Sequence, residues 1–216
     1  MMLERIQWWL HNLAYKNRRS IKPGNSLLLP ASSERRMKKV TLKLGGRNNR
    51  LVFGEDVVIS HCEIRLDGED NLIEIGDRTH FRSGKIYLRR TCGQHIRIGA
   101  DTTVEGAYLL VDEAASIDIG NDCMLSTDIL IRTGDKHSII DVASGQRINS
   151  SRDVRIADRV WVGRDVQILK GTVLQPETVV GACSLVSRAF DEGHCVVAGV
   201  PAKIVKRGIT WDRRLL

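Results

Sequence analysis

From Ile156 onward an aliphatic residue recurs every six positions: Ile156, Val162, Ile168, Leu174, Val180 and Val186. The fifth position of each unit is small or branched: Val160, Val166, Thr172, Thr178 and Ser184. A period of six is neither the 3.6 of a helix nor the 2 of a long strand. The two apolar positions of a unit lie four residues apart. They face the same side only if the chain bends between units. Three such sides close a triangular coil of 18 residues. Stacked coils pair as parallel strands about 4.8 Å apart. Aliphatic side chains then pile on one another down the axis, so a core can form although aromatic residues are only 5% of the chain.

Looser copies of the unit lie upstream. They are Phe53-Gly54-Glu55-Asp56-Val57, Ile75-Gly76-Asp77-Arg78-Thr79, Ile98-Gly99-Ala100-Asp101-Thr102 and Ile119-Gly120-Asn121-Asp122-Cys123. Their first residues are spaced by 22, 23 and 21, one coil each with a few residues inserted at a corner. The next gap, Ile119 to Ile156, is 37, which is two coils and one residue. Yet the repeat is lost after Ile131. Residues 133–153 therefore read as a loop replacing part of a coil. Frequent Gly and β-branched residues argue against helices, and the turns lack the Asn-Gly and Asp-Gly pairs of tight hairpins. The pattern predicts an all-β chain folded as a parallel β-helix. It does not set the hand; the general crossover rule favours right-handed connections.

The ends differ from the middle. Leu3, Ile6, Leu10 and Leu13 recur at helical spacing beside Trp8, Trp9 and Tyr15, which predicts a helix over 3–19. It reads as a cap on an open coil end or as a membrane-surface helix. Residues 1–50 hold twelve Lys or Arg against Glu4 and Glu34, a net +10, so the rest carries −3 of the chain's +7. This divides the chain into an N-terminal helix and basic arm (1–50), a coil domain (51–205) and a C-terminal tail (206–216). The arm can hold an anionic polymer or an anionic membrane surface, or be simply solvated. No stretch approaches the ~18 apolar residues of a membrane helix. The opening segment lacks a signal-peptide pattern. Five cysteines without a CxxC fit reduced thiols. The expectation is a cytoplasmic protein, with the arm as a peripheral contact at the inner face of the membrane.

The hexapeptide pattern, Val160-Trp161-Val162-Gly163, Gly181-Ala182 and Ala198-Gly199-Val200-Pro201-Ala202-Lys203 resemble the hexapeptide-repeat acyltransferases. Arg132-Thr133-Gly134-Asp135-Lys136-His137-Ser138-Ile139, with Gly145-Gln146-Arg147-Ile148-Asn149 downstream, resembles the members that O-acetylate capsular and other surface polysaccharides, the polysialic acid type among them. The resemblance covers residues 95–207. It implies a left-handed parallel β-helix, a homotrimer and acetyl-CoA as donor. Two departures stand out: Val200 where the family often has Asn, and Asp191-Glu192-Gly193 where it usually has Pro.

Acetyl transfer to a hydroxyl needs a base, and imidazole has an unperturbed pKa near neutral. Of six histidines, only His137 lies in the loop that interrupts the repeat. Loops on rigid scaffolds are where catalytic groups concentrate. Asp135, two residues away, and Asp128, on the last regular strand before the loop, are carboxylates that could orient it. The resemblance places Asp128 near the acetyl group, and Trp161, read as a corner residue, beside the pantetheine arm and acceptor. It puts Gly163 and Ala182 on that arm, and Ser187, Arg188, Lys203, Lys206 and Arg207 at the nucleotide end. The expected function is acetyl transfer from acetyl-CoA to an anionic polysaccharide, with no metal and no nucleic acid partner. Two alternatives stay open. One acetylates an amine or hydroxyl of a nucleotide sugar or small molecule. The other is a non-enzymatic assembly module, in which His137 and Trp161 are dispensable.

Overall fold

A computed structural model describes residues 15–216, apart from the side chain of Arg90. The helix expected over 3–19 lies mostly outside the described residues, and by Arg18 the chain is already a strand. Twenty-four short strands wind into eight coils with three faces. The first coil holds β1 (Arg18–Ile21), β2 (Ser26–Leu28) and β3 (Met37–Lys38), and the second β4 (Thr41–Leu44), β5 (Arg50–Phe53) and β6 (Val58–Ser60). The third holds β7 (Cys62–Glu69), β8 (Leu72–Ile75) and β9 (His80–Phe81); the fourth β10 (Gly84–Cys92), β11 (His95–Ile98) and β12 (Thr103–Val104). The fifth holds β13 (Ala107–Asp112), β14 (Ile117–Ile119) and β15 (Met124–Leu125); the sixth β16 (Ile129–Arg132), β17 (Val154–Ile156) and β18 (Trp161–Val162). The seventh holds β19 (Gln167–Ile168), β20 (Val173–Leu174) and β21 (Val179–Val180). The last has β22 (Leu185–Val186) and β23 (Cys195–Gly199), and closes with β24 (Ala202–Arg207) folded back antiparallel on β23.

All other pairings are parallel, with every third strand in one face: face A has eight strands from β1 to β22, face B seven from β2 to β20, and face C nine from β3 to β24. Residues of like position stack in register. On face C the column runs Phe81, Val104, Leu125, Val162, Val180, Val197, each buried. The B-to-C corners explain the recurring Ile-Gly-x-Asp unit. Asp56, Arg78, Asp101, Asp122, Arg159 and Glu177 each take a positive φ between 49° and 60° at the same place in successive coils. The residue after each turns inward, and Val57, Thr79, Thr102, Cys123, Val160 and Thr178 are all buried. A Cβ at Gly99 would sit 2.5 Å from the carbonyl carbon of Gly120, so coils this close exclude a side chain there.

Two sequence expectations change. The coil does not begin at residue 51: β1 to β4 give residues 18–44 two strands in face A and one in each of the others, so most of the basic arm is coil wall. Short polar strands such as Arg18–Ile21 lack the aliphatic repeat, and among the described residues the first coil has a neighbour on one side only. The gap from Ile119 to Ile156 is one coil and not two, since these residues are neighbours in register between β14 and β17. Residues 133–153 are thus an addition to a complete sixth coil, extruded at its A-to-B corner.

Candidate active site

His137 stands exposed on this extruded loop. The loop crosses itself once, at an antiparallel bridge between Ile140 and Arg147. Its stem is held by polar groups around Asn149, which is buried. Asn149 Nδ2 donates to the carbonyl of His137 at 2.8 Å and to Asp135 Oδ2 at 2.9 Å. Its Oδ1 accepts from the backbone N–H of Ile139 at 2.8 Å and from Arg147 Nε at 3.0 Å. Arg147 reaches Glu113 Oε1 at 2.6 Å, and Lys170 Nζ donates to Asp135 Oδ2 at 2.5 Å and to the Asn149 carbonyl at 2.8 Å. One side chain thereby fixes the backbone on both sides of the imidazole. Hydrogen bonds from Lys170 and Asn149 hold the Asp135 carboxyl below its usual range, and the bond from Arg147 does the same for Glu113. Thr133, buried at the root of the loop, donates from Oγ1 to the Asp112 carbonyl and accepts from the Asp112 N–H.

A cavity of about 540 Å³ opens beside His137 and Lys136, walled by Arg65, Asp67, Arg89, Asp112 and Glu113 of the lower coils. The carboxylates that line this cavity are Asp67, Asp112 and Glu113. Asp135 is committed to Lys170 and Asn149. Asp128 lies at the opposite end of β16, at the C-to-A corner, with a φ of 60° and an ion pair to Arg164 at 3.3 Å.

That second corner collects several other candidates. Asp128, Arg164 and Ala182 follow one another in successive coils: the Asp165 N–H donates to Thr127 O at 3.1 Å, and the Cys183 N–H to Arg164 O at 2.8 Å. A Cβ on Gly163 would sit 2.8 Å from the backbone N of Ala182, and Ala182 itself is exposed. Gly163 and Ala182 put no large side chain on this ridge, whereas Arg164 stands exposed on it beside Asp128. Below it a groove of about 850 Å³ runs past Asp128, Tyr108, Lys85 and His61.

Trp161 is not at a corner. It is the outward residue of β18 in face C, with its ring centroid 6.3 Å from that of Trp211. Of the basic set, Ser187 and Arg188 are exposed after β22 above the loop's corner, and Arg188 lies over the Phe190 ring at 4.9 Å. Lys203, Lys206 and Arg207 are on β24 in face C, where Arg207 is engaged by Glu192 at 2.6 Å. One chain thus brings Asp128, Gly163 and Ala182 together, but leaves His137 and Trp161 on different corners and faces.

Sequence reasoning passed over Asn149, Arg147, Glu113, Lys170 and Trp211. Arg147 and Asn149 stood inside the quoted motif. Glu113 and Lys170 reach the loop only through coil stacking, so no local pattern marks them. The C-terminal residues also form more than a tail. Ile209 N–H bonds to His194 O at 2.9 Å, Trp211 Nε1 to Arg159 O at 2.7 Å, and Arg213 to Asp122 Oδ1 and Cys123 O, both at 2.9 Å. The segment descends the B-to-C corner from the eighth coil to the fourth, where Arg213 also donates to Thr103 Oγ1 at 2.9 Å.

No protein-family model matches the chain. A polysialic acid O-acetyltransferase of Neisseria meningitidis is 38% identical over 170 residues, covering 79% of this chain and 78% of that protein. The chain belongs to the hexapeptide-repeat acyltransferases. A polysialic acid O-acetyltransferase of Escherichia coli O1:K1 is 37% identical over 123 residues, which span 57% of this acyltransferase but only 40% of that relative's length. The crystal structure of the polySia-specific acetyltransferase NeuO superposes with a TM-score of 0.78 at 32% identity, over 92% of this chain and 85% of that one. The coil of this acyltransferase is the left-handed parallel β-helix of its family, opposite in hand to the general crossover preference.

Proposed function

We propose that the chain transfers the acetyl group of acetyl-CoA to a hydroxyl of an anionic surface polysaccharide of the polysialic acid type. The observation that carries this reading is the placement of His137. It is lifted clear of the coil and clamped on both sides by Asn149 at the edge of a cavity. The names of the relatives supply the acetyl group and the polysialic acid acceptor. His137 takes the proton of the acceptor hydroxyl as that oxygen attacks the thioester carbonyl; the C–S bond then breaks, the imidazolium returns the proton to the departing coenzyme A thiolate, and transfer is direct. Acetyl-CoA supplies the activated acyl group. Gly163, Ala182 and Trp161 line its pantetheine arm and Asp128 lies near the acetyl end. Ser187, Arg188, Lys203, Lys206 and Arg207 serve the phosphates. Asp135 positions the loop.

The active unit in this reading is a homotrimer. A second copy supplies what one chain lacks, because the ridge of Asp128, Gly163 and Ala182 lies across face A from the loop of the same chain. The loop also exposes Ile139, Ile140, Ile148 and Val142, the last at 99% of its full area, and such a tip gains by burial against a neighbour. Among the described residues no helix is long and apolar enough to cross a membrane. The basic N-terminal region is proposed as a peripheral contact at the cytoplasmic face. The test is release of CoA thiol from acetyl-CoA over a panel of acidic and neutral polysaccharides, beside sedimentation of the protein at micromolar concentration. Acetyl transfer confined to acidic polymers by a trimer is the expected result. A fully active monomer, or transfer to neutral sugars alone, overturns it.

A further inference from the structure

The cavity beside His137 holds charges for which the transfer chemistry has no use. Its walls come from the A-to-B ends of β7, β10 and β13, directly below the loop in the stack. A β-bulge shapes it. Leu88 pairs with Leu66 and Thr91 with Gly68, so Arg89 and Arg90 together oppose Asp67. Bulges of this kind re-aim side chains next to sites. Arg89 is also in register with Asp112 of β13.

Some of the charges cancel within the protein. Arg65 Nε bonds to Asp67 Oδ2 at 2.6 Å, and Glu113 receives Arg147 at 2.6 Å. Three charged groups remain. Arg89 stacks its guanidinium over the Tyr87 ring, 5.3 Å from the centroid, and makes no ion pair among the described residues. Lys136, beside His137, makes none among them either. Asp112 Oδ2 is buried and has no hydrogen-bond partner among the described residues. The Asp112 carboxylate thus stands at the cavity wall with no ion pair among the described residues.

Two spare cations and one spare acceptor match a particular ligand chemistry: a carboxylate to meet Arg89 and Lys136, and a hydroxyl to donate to the Asp112 carboxylate. A neutral sugar satisfies only the second. An inorganic anion satisfies only the first. The volume of about 540 Å³ falls within the range of small-molecule sites, and His137 is one of the residues that line it.

We propose that this cavity is the acceptor subsite, and that Arg89 and Lys136 select a sugar unit carrying a carboxylate while Asp112 receives one of its hydroxyls. This rests on the acetyl-transfer reading above and assigns its specificity to residues of the lower coils. Steady-state kinetics with acetyl-CoA and two acceptors test it. One acceptor is a sialic acid oligosaccharide, and the other is the same oligosaccharide with its carboxylates reduced to primary alcohols. The wild type is expected to favour the acid form about tenfold or more in kcat/KM, the size of a lost charge-assisted hydrogen bond. Arg89→Gln is expected to bring that ratio toward one, mainly through KM for the acid form, and Arg89→Lys to restore part of it. Lys136→Gln, in the loop and outside the coil, gives the same readout if the coil variant does not fold. Equal preference in wild type and both Gln variants, or no preference in the wild type, overturns the assignment. Failure of the wild type to acetylate either acceptor removes the acetyl-transfer reading itself, and the subsite with it.

Discussion

The loop at 133–153 and the segment at 208–216 both leave the repeat, and they are held in opposite ways. The loop is fastened at its stem only, by the hydrogen bonds of Asn149 and by the ion pairs Glu113–Arg147 and Asp135–Lys170. Its tip is apolar and bare. The C-terminal segment is fastened along its length. Trp211 is 6% exposed, flanked by Trp161 and by the guanidinium groups of Arg159 at 5.0 Å and Arg213 at 5.7 Å. The first arrangement gives up burial to present a side chain; the second ties five coils together. The loop is thus held for presentation and the C-terminal segment for stability, joined to the proposed site only where Trp211 packs on Trp161, so substitutions in the loop should act first on activity and those in the segment first on stability.

His137→Ala should have the largest effect: a loss of turnover of about 10²–10⁴-fold with an unchanged thermal midpoint. Retention of more than a tenth of wild-type turnover would remove His137 from the role of base. Trp211→Ala should act on the other side of the comparison, lowering unfolding free energy in urea by about 3 kcal/mol, as for a large buried aromatic. If Trp211→Ala left the urea midpoint in place, the segment would not be a clamp.

Asn149→Ala tests how much the stem matters to the chemistry. It frees the His137 carbonyl and the Ile139 N–H together, so activity should fall about tenfold or more while the core is untouched. Faster proteolysis between 138 and 148 should accompany it. Near-normal kinetics would show that the stem does not position the imidazole.

The acid limb sharpens the same point. The carboxyls of Asp135 and Glu113 titrate below their ordinary range in the folded protein. A depressed folded pKa contributes stability that is complete above the unfolded value, about 4, and is lost as pH falls through the folded one. Both groups are partly exposed, so the contribution is small and screened. The loop should nonetheless open before the coil does. Pepsin cleavage within 138–148 should rise below pH 4 while the far-ultraviolet signal of the coil persists. Simultaneous loss of both would contradict separate anchoring.

The smallest effect is expected from charge reversal at Arg35, Arg36, Lys38 and Lys39. These lie on the first coil, about 24 Å below the loop at 4.8 Å per coil, and Arg36 already pairs with Asp56 at 3.2 Å. A long anionic polymer could reach both places; a short one could not. KM should rise a few-fold for polymer, most at low salt, with kcat unchanged and little effect on short oligomers. Binding of anionic vesicles that disappears with the reversal, without any change in polymer KM, would assign this patch to the membrane instead.

The six-residue spacing alone determined the coil, its three faces and its aliphatic core, because each inward position repeats the same local requirement. The His137 loop was legible for the complementary reason: it is where that requirement lapses. The hand of the coil was not legible, since inward spacing is the same in either hand. Nor was the start of the coil at Arg18, where, among the described residues, the first coil has a neighbour on only one side and its strands are mostly exposed. The contacts of Glu113 and Lys170 with the loop, and the placing of Arg89, Asp112 and His137 around one cavity, join residues from different coils. Only stacking about 20 residues apart, with a bulge to re-aim one strand, brings such side chains together, so the tertiary structure alone decided them.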